Sequence, residues 1–534
     1  MIGTMQQSPT NLIDILNHAA RWHGEQEIVT YSVEGDIRRS NYSKLHERTA
    51  QLAHALTDVG LKAGECLGTL AWNTDRHVET WYATAGLGVI CHTINPRLPD
   101  AQLVFIINDA ADKILFVDLS FVDIVERILP ELKTVKQVVV MTDNEHMAGL
   151  NSDWICYEDF LDGQSNQYEW VSVDIHTPSS ICYTSGTTGD PKGVVYSHYS
   201  NLIHTFMSVQ KDAFNLGSGD NVLMIVPMFH ANSWGLAYAL PMVGAKMVLP
   251  GPHLGGADVC KLIQDEAVNT SAAVPTVWTM LLNHLSDTGE TIPTMKDVIV
   301  GGSAVPKSMI ETFKSKYDVN IIQAWGMTEM SPLGTLSRGR AIDGEETITD
   351  KCRQGRVFFG VDMKIVNDTG DELERDGKVF GRLMVKGPVV VDRYHNKDSS
   401  ALEDGWFDTG DIATINAKGS MGITDRSKDV IKSGGEWISS VDMENAAISH
   451  PSVNLAACIG IYHPKWEERP LLVVMLHPEN ELDKPAILDV IANDFARWQL
   501  PNDIVVIENM PLTGTGKLDK KVLRARFEDH YTRT

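Results

Sequence analysis

Short runs of β-branched and apolar residues alternate along this chain with stretches whose apolar positions recur every three or four residues. Ile114–Val117, Val138–Val140, Val222–Val226, Met247–Leu249, Val298–Val300 and Asn320–Gln323 read as buried strands. Between them, Tyr42–Val59 sets Leu45, Leu52, Ala53, Leu56 and Val59 on one helical face. Alternation of this kind predicts α/β layers with largely parallel sheets, and such sheets hold ligands on the loops beyond their strand ends.

After about residue 355 the texture changes. Val361–Val366, Gly381–Val385 and Ala413–Ile415 are short strand candidates separated by Asp/Gly turns such as Asn367-Asp368-Thr369-Gly370. A smaller unit follows Asp425-Arg426, with strand-like Leu455–Ile461 and Leu471–Leu476. Its expected helix, Pro485–Trp498, aligns Ile487, Leu488, Ile491, Phe495 and Trp498, with proline in the first turn. The pattern divides the chain into 1–426 and 427–534, joined by a short segment that permits rotation.

The 534 residues exceed the roughly 100–200 of one domain, in agreement with that division. With 43% hydrophobic and 22% charged residues the composition is that of an ordinary globular protein, which sets aside disorder and coiled coil. The 46 Lys and Arg against 70 Asp and Glu leave a net charge of −24, a field that repels phosphate backbones and anionic lipid. Nucleic acid and membrane surfaces are therefore not expected partners, and a site for an anionic substrate must supply its own positive charge. Seven scattered cysteines without a CxxC pair indicate free thiols in a reducing, cytoplasmic compartment. The most apolar window, Val222–Pro250, is broken by His230, Asn232 and Lys246 and suits buried strands and a loop better than a membrane span.

One segment concentrates unusual chemistry. Tyr183-Thr184-Ser185-Gly186-Thr187-Thr188-Gly189-Asp190-Pro191-Lys192-Gly193 follows a strand-like Ser180–Tyr183 and precedes the apolar pair Val194-Val195. Its glycines let successive N–H groups face inward, four hydroxyls add donors, and Lys192 adds charge, which together make an anion nest suited to polyphosphate. A Ser/Thr/Gly surface hairpin is the plain alternative on composition alone. Walker A spacing fails because Pro191 stands where glycine is required, and neither GxSxG nor HExxH occurs.

The loop resembles the phosphate loop of the adenylate-forming superfamily, which includes acyl-CoA synthetases, peptide-synthetase adenylation domains and firefly luciferase. Four further motifs share that resemblance in order and spacing: Trp325-Gly326-Met327-Thr328-Glu329, Thr409-Gly410-Asp411, the hinge-like Asp425–Asp429 with Lys432-Ser433-Gly434-Gly435-Glu436-Trp437, and Pro511–Lys517. The resemblance implies a large N-terminal domain of layered α/β sheets with a β-barrel-like subdomain, and a small mobile α+β C-terminal domain.

It also implies roles. ATP, Mg2+ and coenzyme A are the expected small molecules, with a carboxylic acid joined to ATP and then passed to a thiol. Lys517 would bring positive charge to the α-phosphate and carboxylate when the small domain closes. Glu329 would hold magnesium, helped by the hydroxyl of Thr184 or Thr187. Thr184, Ser185, Gly186, Thr187, Thr188, Gly189 and Lys192 would cradle phosphates. Gly301, Gly302, Ser303, Ala304, Val305 and Pro306 would line the adenine, with Gln323, Ala324 and Trp325 closing over it and Gly326, Met327 and Thr328 completing the surface. Asp411, assisted by Arg426, would accept the ribose hydroxyls. Lys432, Ser433, Gly434, Gly435, Glu436 and Trp437 would border the pantetheine tunnel, and either Lys428 or Asp429 would be the pivot.

His230 and Trp234, with Gly301, are expected at the acyl pocket, where a bulky indole would limit depth. His92-Thr93-Ile94-Asn95-Pro96-Arg97-Leu98 and Gly434–Ser439 resemble bacterial 3-methylmercaptopropionate-CoA ligases, and also occur in medium- and long-chain acyl-CoA synthetases. The expected activity is AMP-forming activation of a small or medium apolar acid and transfer to CoA, by a homodimer. Alternatives are a medium- or long-chain fatty-acid ligase, a carrier-protein loader, a luciferase-like oxygenase, and a non-catalytic nucleotide-binding regulator.

Overall fold

The computed structural model describes residues 4–6, 10–151, 153–184, 190–344, 346–426, 428–433, 436–512 and 518–532. Two large sheets organise the N-terminal domain. The first has seven strands in the order Ile155–Cys156, Gln137–Val140, Ile114–Val117, Cys66–Leu70, Ile90–Thr93, Pro178–Tyr183, Gly193–Ser197. All neighbours are parallel except the last pair, a hairpin in which Tyr183 faces Gly193. The second has nine strands, with a parallel centre of Glu27–Tyr31, Lys246–Leu249, Asn221–Leu223, Thr270–Ala273, Asp297–Val300 and Asn320–Gly326.

Helix Asp75–Leu87 shows why the two sheets form one body. Every residue from Arg76 to Leu87 is buried, as expected of a helix covered on all faces. It touches Ile90–Thr93 and Pro178–Tyr183 of one sheet and Glu27–Tyr31 of the other. Its charges are paired: Arg76 bonds Glu34 and Glu158, and Glu79 takes Arg48 and the Tyr157 hydroxyl. Pairing is what makes burial of such groups tolerable.

The expected strands form, with small changes at their ends. Val222–Val226 ends early, at Leu223, because Asn73 replaces the sheet as hydrogen-bond partner. Its Nδ2 donates to the carbonyls of Met224 (2.6 Å) and Val226 (2.8 Å), and its Oδ1 accepts from the Met228 amide (2.7 Å). The helix at Tyr42 runs to Asp58, capped by the Asn41 side chain on the Lys44 amide.

The barrel-like subdomain expected beyond residue 355 takes the form of a five-stranded antiparallel sheet, built around the ten-residue strand Trp406–Ile415. The smaller C-terminal domain carries another five-stranded sheet, centred on Glu467–Leu476, with helices Ser440–Ile448 and Lys484–Ile491 on its core. The expected helix Pro485–Trp498 is half its anticipated length. Beyond Ile491 the amides of Asn493 and Asp494 turn back on carbonyls three residues earlier. Arg469 then captures the carbonyls of Trp498 (2.7 Å) and Leu500 (2.9 Å), holding this segment in a non-helical path and leaving Trp498 exposed. Among the described residues no helix is long and apolar enough to cross a membrane.

Candidate active site

The loop singled out in the sequence leaves strand Pro178–Tyr183 and returns in Gly193–Ser197. Its base is closed twice: the Thr184 amide donates to the Lys192 carbonyl (2.9 Å), and the Lys192 amide donates to Thr184 Oγ1 (3.2 Å). Ser185, Gly186, Thr187, Thr188 and Gly189 lie outside the described residues. Lys192 Nζ stands 4.8 Å from the centre of the Tyr394 ring, a cation–π contact. The Tyr394 hydroxyl in turn donates to Glu329 Oε1 at 2.9 Å. One aromatic ring thus connects the loop's lysine to the carboxylate that the sequence marked for metal.

Glu329 sits in the short turn Thr328–Met330, positioned by the Tyr196 hydroxyl on the Thr328 carbonyl (2.6 Å) and by the Val391 amide on its own carbonyl (2.8 Å). Burial raises its pKa above the ordinary glutamate value, against the opposing pull of the Tyr394 hydrogen bond and the positive fields of Arg426 and Lys192. A buried carboxylate held in this way is chemically suited to a divalent ion with oxygen ligands.

Asp411 and Arg426 are register partners in adjacent antiparallel strands. Arg426 Nε meets Asp411 Oδ1 at 2.7 Å, and the Trp325 indole N–H donates to Oδ2 at 2.9 Å. Trp325 thereby fixes the end of strand Asn320–Gly326 beside the Thr409-Gly410-Asp411 segment of strand Trp406–Ile415. Gly302 and Ser303 are exposed at the end of the neighbouring strand Asp297–Val300, and Ala304 follows them. These groups gather at the carboxyl ends of parallel strands, where α/β sheets bind ligands.

Gln323 is held on both sides of its side chain. Its side-chain amide donates to the Lys351 carbonyl (3.0 Å) and its oxygen accepts from Gln354 (3.1 Å). It is a buried brace between segments. Ala324 and Trp325 are buried beside it; Gly326 is exposed, and Met327 and Thr328 lead into the Glu329 turn.

His230 shares a recess with Thr93, Asn95, Leu98, Ile106, Tyr183, Thr184 and Phe229. Trp234 is placed by an uncommon backbone: Ala231, Asn232, Ser233 and Trp234 all have positive φ, between 43° and 52°. Such residues each cost about 1–3 kcal/mol and persist only where surroundings hold them. Here Ser233 Oγ donates to the Val226 carbonyl (2.8 Å) and Asn232 donates to Asn201 (3.3 Å). The outcome is an indole laid against Gly301, where an added Cβ would stand 2.8 Å from Trp234 Cη2. Glycine at 301 is explained by that approach.

In the C-terminal domain, Ile431–Ser433 pairs with Glu436–Ile438, so Lys432 faces Trp437 and Ser433 faces Glu436 across a hairpin. Ser433 Oγ is already bonded by Arg469 (3.0 Å), and the Lys432 amide by Glu468 (2.9 Å). Gly434 and Gly435 fall outside the described residues, as does Lys517, whose neighbours Leu512 and Leu518 pair as an antiparallel bridge. At the expected pivot, the Arg426 carbonyl accepts the amides of Asp429 and Val430, and Asp429 also meets Arg524 at 2.7 Å. Burial lowers the pKa of the adjacent Lys428.

Residues 16–395 match the family described as AMP-binding enzyme, and residues 442–517 match the AMP-binding enzyme C-terminal domain. The chain belongs to the AMP-binding enzyme family. This AMP-binding enzyme is 44% identical, over the full length of both chains, to the 3-methylmercaptopropionyl-CoA ligase of Ruegeria lacuscaerulensis. It is also 44% identical to the medium-chain-fatty-acid–CoA ligase of Ectopseudomonas oleovorans, covering 99% of this chain and 98% of the relative. Among solved structures, the anthranilate CoA ligase AuaEII in complex with anthranoyl-AMP superposes with a TM-score of 0.88 at 23% identity, covering 98% of this chain and 99% of the other. The adenylate-forming resemblance is thus met at the level of family and fold. Within the AMP-binding enzyme, sequence reasoning missed Tyr394 and Asn73. Tyr394 falls in no motif, and only its position 65 residues after Glu329 in the folded chain makes it part of the site.

Proposed function

We infer that this AMP-binding enzyme is an AMP-forming acid–CoA ligase acting on a small or medium apolar carboxylic acid such as 3-methylmercaptopropionate. The observation that carries the reading is the link from the closed base of the Thr184–Lys192 loop, through the Tyr394 ring, to the buried Glu329 carboxylate. The full-length likeness to two CoA ligases supports the class of reaction. Activity on medium-chain fatty acids is the second reading, favoured by the second of those relatives.

In the first half-reaction a carboxylate oxygen of the acid bonds to the α-phosphorus of ATP, and the bond to pyrophosphate breaks. In the second, the sulfur of CoA bonds to the acyl carbon, its proton leaves to solvent, and AMP departs. Two anions meet in the first step, so positioning and positive charge are the main demands. The loop would hold the phosphates and Lys517 would reach the reacting oxygens. Mg2+, when bound, would neutralise phosphate charge, with Glu329 and the Thr184 hydroxyl as its protein-side holders. Asp411 would take the ribose hydroxyls on lone pairs not used by Trp325 and Arg426, since each carboxylate oxygen can accept more than one donor. Gly302, Ser303 and Ala304 would flank the adenine, and the 431–438 hairpin would guide the thiol. The division at 426/427, with a pivot at Lys428 or Asp429, would let one site serve both steps. A homodimer in the cytoplasm completes the reading; all seven cysteines are free, as suits a reducing compartment.

Pyrophosphate release measured over acids from acetate to palmitate, with 3-methylmercaptopropionate included and free CoA present, tests this reading. A maximum at short or medium acids with CoA thioester as product supports it. A maximum at long chains, or no thioester from free CoA, overturns it.

Tyr394→Phe gives a pH test of Glu329. The tyrosine hydrogen bond favours the ionised carboxylate, so its loss raises the Glu329 pKa further. If the ionised form is required, the acid limb of kcat/KM moves to higher pH, and the plateau falls about tenfold or more for one lost bond to a charged group. An unchanged acid limb would remove Glu329 from the reaction.

A further inference from the structure

Among the described residues, one group of three different metal-ligating side chains brings its donor atoms within 4.8 Å of one another: Cys260, His284 and Glu290. None belongs to a motif that the nucleotide chemistry uses. Cys260 lies on helix Gly256–Asp265, His284 on helix Pro275–Thr288, and Glu290 just beyond that helix's end at Gly289. Helix Pro275–Thr288 leaves the carboxyl end of strand Thr270–Ala273, so His284 and Glu290 lie at the far end of that helix, whereas Gly301 directly follows the carboxyl end of strand Asp297–Val300. The helices are held close: a Cβ on Gly256 would overlap the Met280 carbonyl oxygen and reach His284 Cβ at 3.3 Å. One turn along, that approach sets Cys260 opposite His284.

Glu290 Oε2 is the hub, 3.2 Å from Cys260 Sγ and 2.8 Å from His284 Nε2. We propose that Cys260, His284 and Glu290 form a binding site for a borderline-soft divalent cation of the zinc type, separate from the nucleotide site. Tetrahedral zinc, with bonds of about 2.0–2.3 Å, spaces its ligand atoms roughly 3.3–3.8 Å apart, so the two pairs that meet on Glu290 would open by a few tenths of an ångström, and Cys260 and His284 bring their donor atoms within 4.8 Å of each other. The donor set of thiolate, imidazole and carboxylate selects zinc over the hard, oxygen-seeking magnesium. Cys260 is fully buried, whereas the Glu290 side chain is 47% exposed, which leaves an open side for entry and for a water as fourth ligand. Lys261, next in sequence, is neutralised by Asp265 at 2.5 Å. On binding, the metal–sulfur bond replaces the Cys260 S–H bond and the proton leaves to solvent. In the metal-free form the same atoms make two hydrogen bonds to one carboxylate oxygen.

The test uses the full-length chain, stripped with chelator and held in excess Mg2+, then titrated with Co2+. The expected result is a thiolate-to-cobalt charge-transfer band that saturates at one equivalent and is abolished by added Zn2+. Cys260→Ser should lose the band while keeping the wild-type melting temperature in the metal-free state. His284→Ala should weaken the site by at least about tenfold. Zn2+ should raise the melting temperature of the wild type and not that of Cys260→Ser. Absence of the band, or a band that persists in Cys260→Ser, overturns the proposal. Should Cys260→Ser fail to fold, the His284→Ala titration decides alone, and an unweakened site there also overturns it.

Discussion

Replacing Lys517 by alanine is expected to lower adenylate formation by about 10²–10³-fold, while transfer from a supplied acyl-adenylate to CoA stays within a few-fold of wild type. The magnitude is that of removing one positioned charge or donor from a transition state that gathers negative charge. The protein as a whole offers no help, since its net charge is −24. Among the described residues, two cations whose fields act on Glu329 are already engaged, Lys192 over the Tyr394 ring and Arg426 on Asp411. A further cation must therefore arrive for the carboxylate to approach the α-phosphate, and only in the first half-reaction. Pyrophosphate release and single-turnover thioester formation from synthetic acyl-adenylate separate the two steps. Equal loss of both would deny Lys517 this role.

Trp234→Ala should shift preference toward longer acids. The indole is laid against Gly301 by a run of four left-handed residues, a backbone that costs several kcal/mol to maintain and so fixes the ring in place. With the ring gone, each further methylene admitted is worth about 0.8 kcal/mol, or roughly a factor of four, so three methylenes move relative kcat/KM by about 60-fold. The removal also costs about 3–5 kcal/mol of stability. Trp234→Leu therefore accompanies it as a milder variant, and melting temperatures are compared before activities. An unchanged chain-length profile in a folded variant would show that another group sets the depth.

Much of the fold was legible because buried parallel strands announce themselves as β-branched runs. Ile114–Val117 forms as read, and Val298–Val300 and Met247–Leu249 gain one residue each. The ends of elements were less legible where a side chain takes over backbone partners. Asn73 cuts one strand short, and Arg469 holds the segment after Ile491 out of the helix that its apolar stripe predicts. In the site, motif residues close in sequence were easy to find, and their partners from distant segments were not. The Tyr394 link to Glu329 and the left-handed run that aims Trp234 both arise only on folding. Gln323, two residues before the Trp325 motif, likewise meets Lys351 and Gln354 only on folding. Cys260, His284 and Glu290, drawn from one helix and from the end of the next with no recognisable spacing, left no sequence signal at all.

In the proposed function the Thr184–Lys192 loop and Lys517 converge on a single nucleotide. A crystal structure with a non-hydrolysable ATP analogue and the preferred acid tests it most directly. The β- and γ-phosphates are expected within hydrogen-bond reach of the loop, the ribose on Asp411, and the α-phosphate within reach of Lys517 in the closed form. Phosphates bound elsewhere, with no contact to the loop, would contradict it.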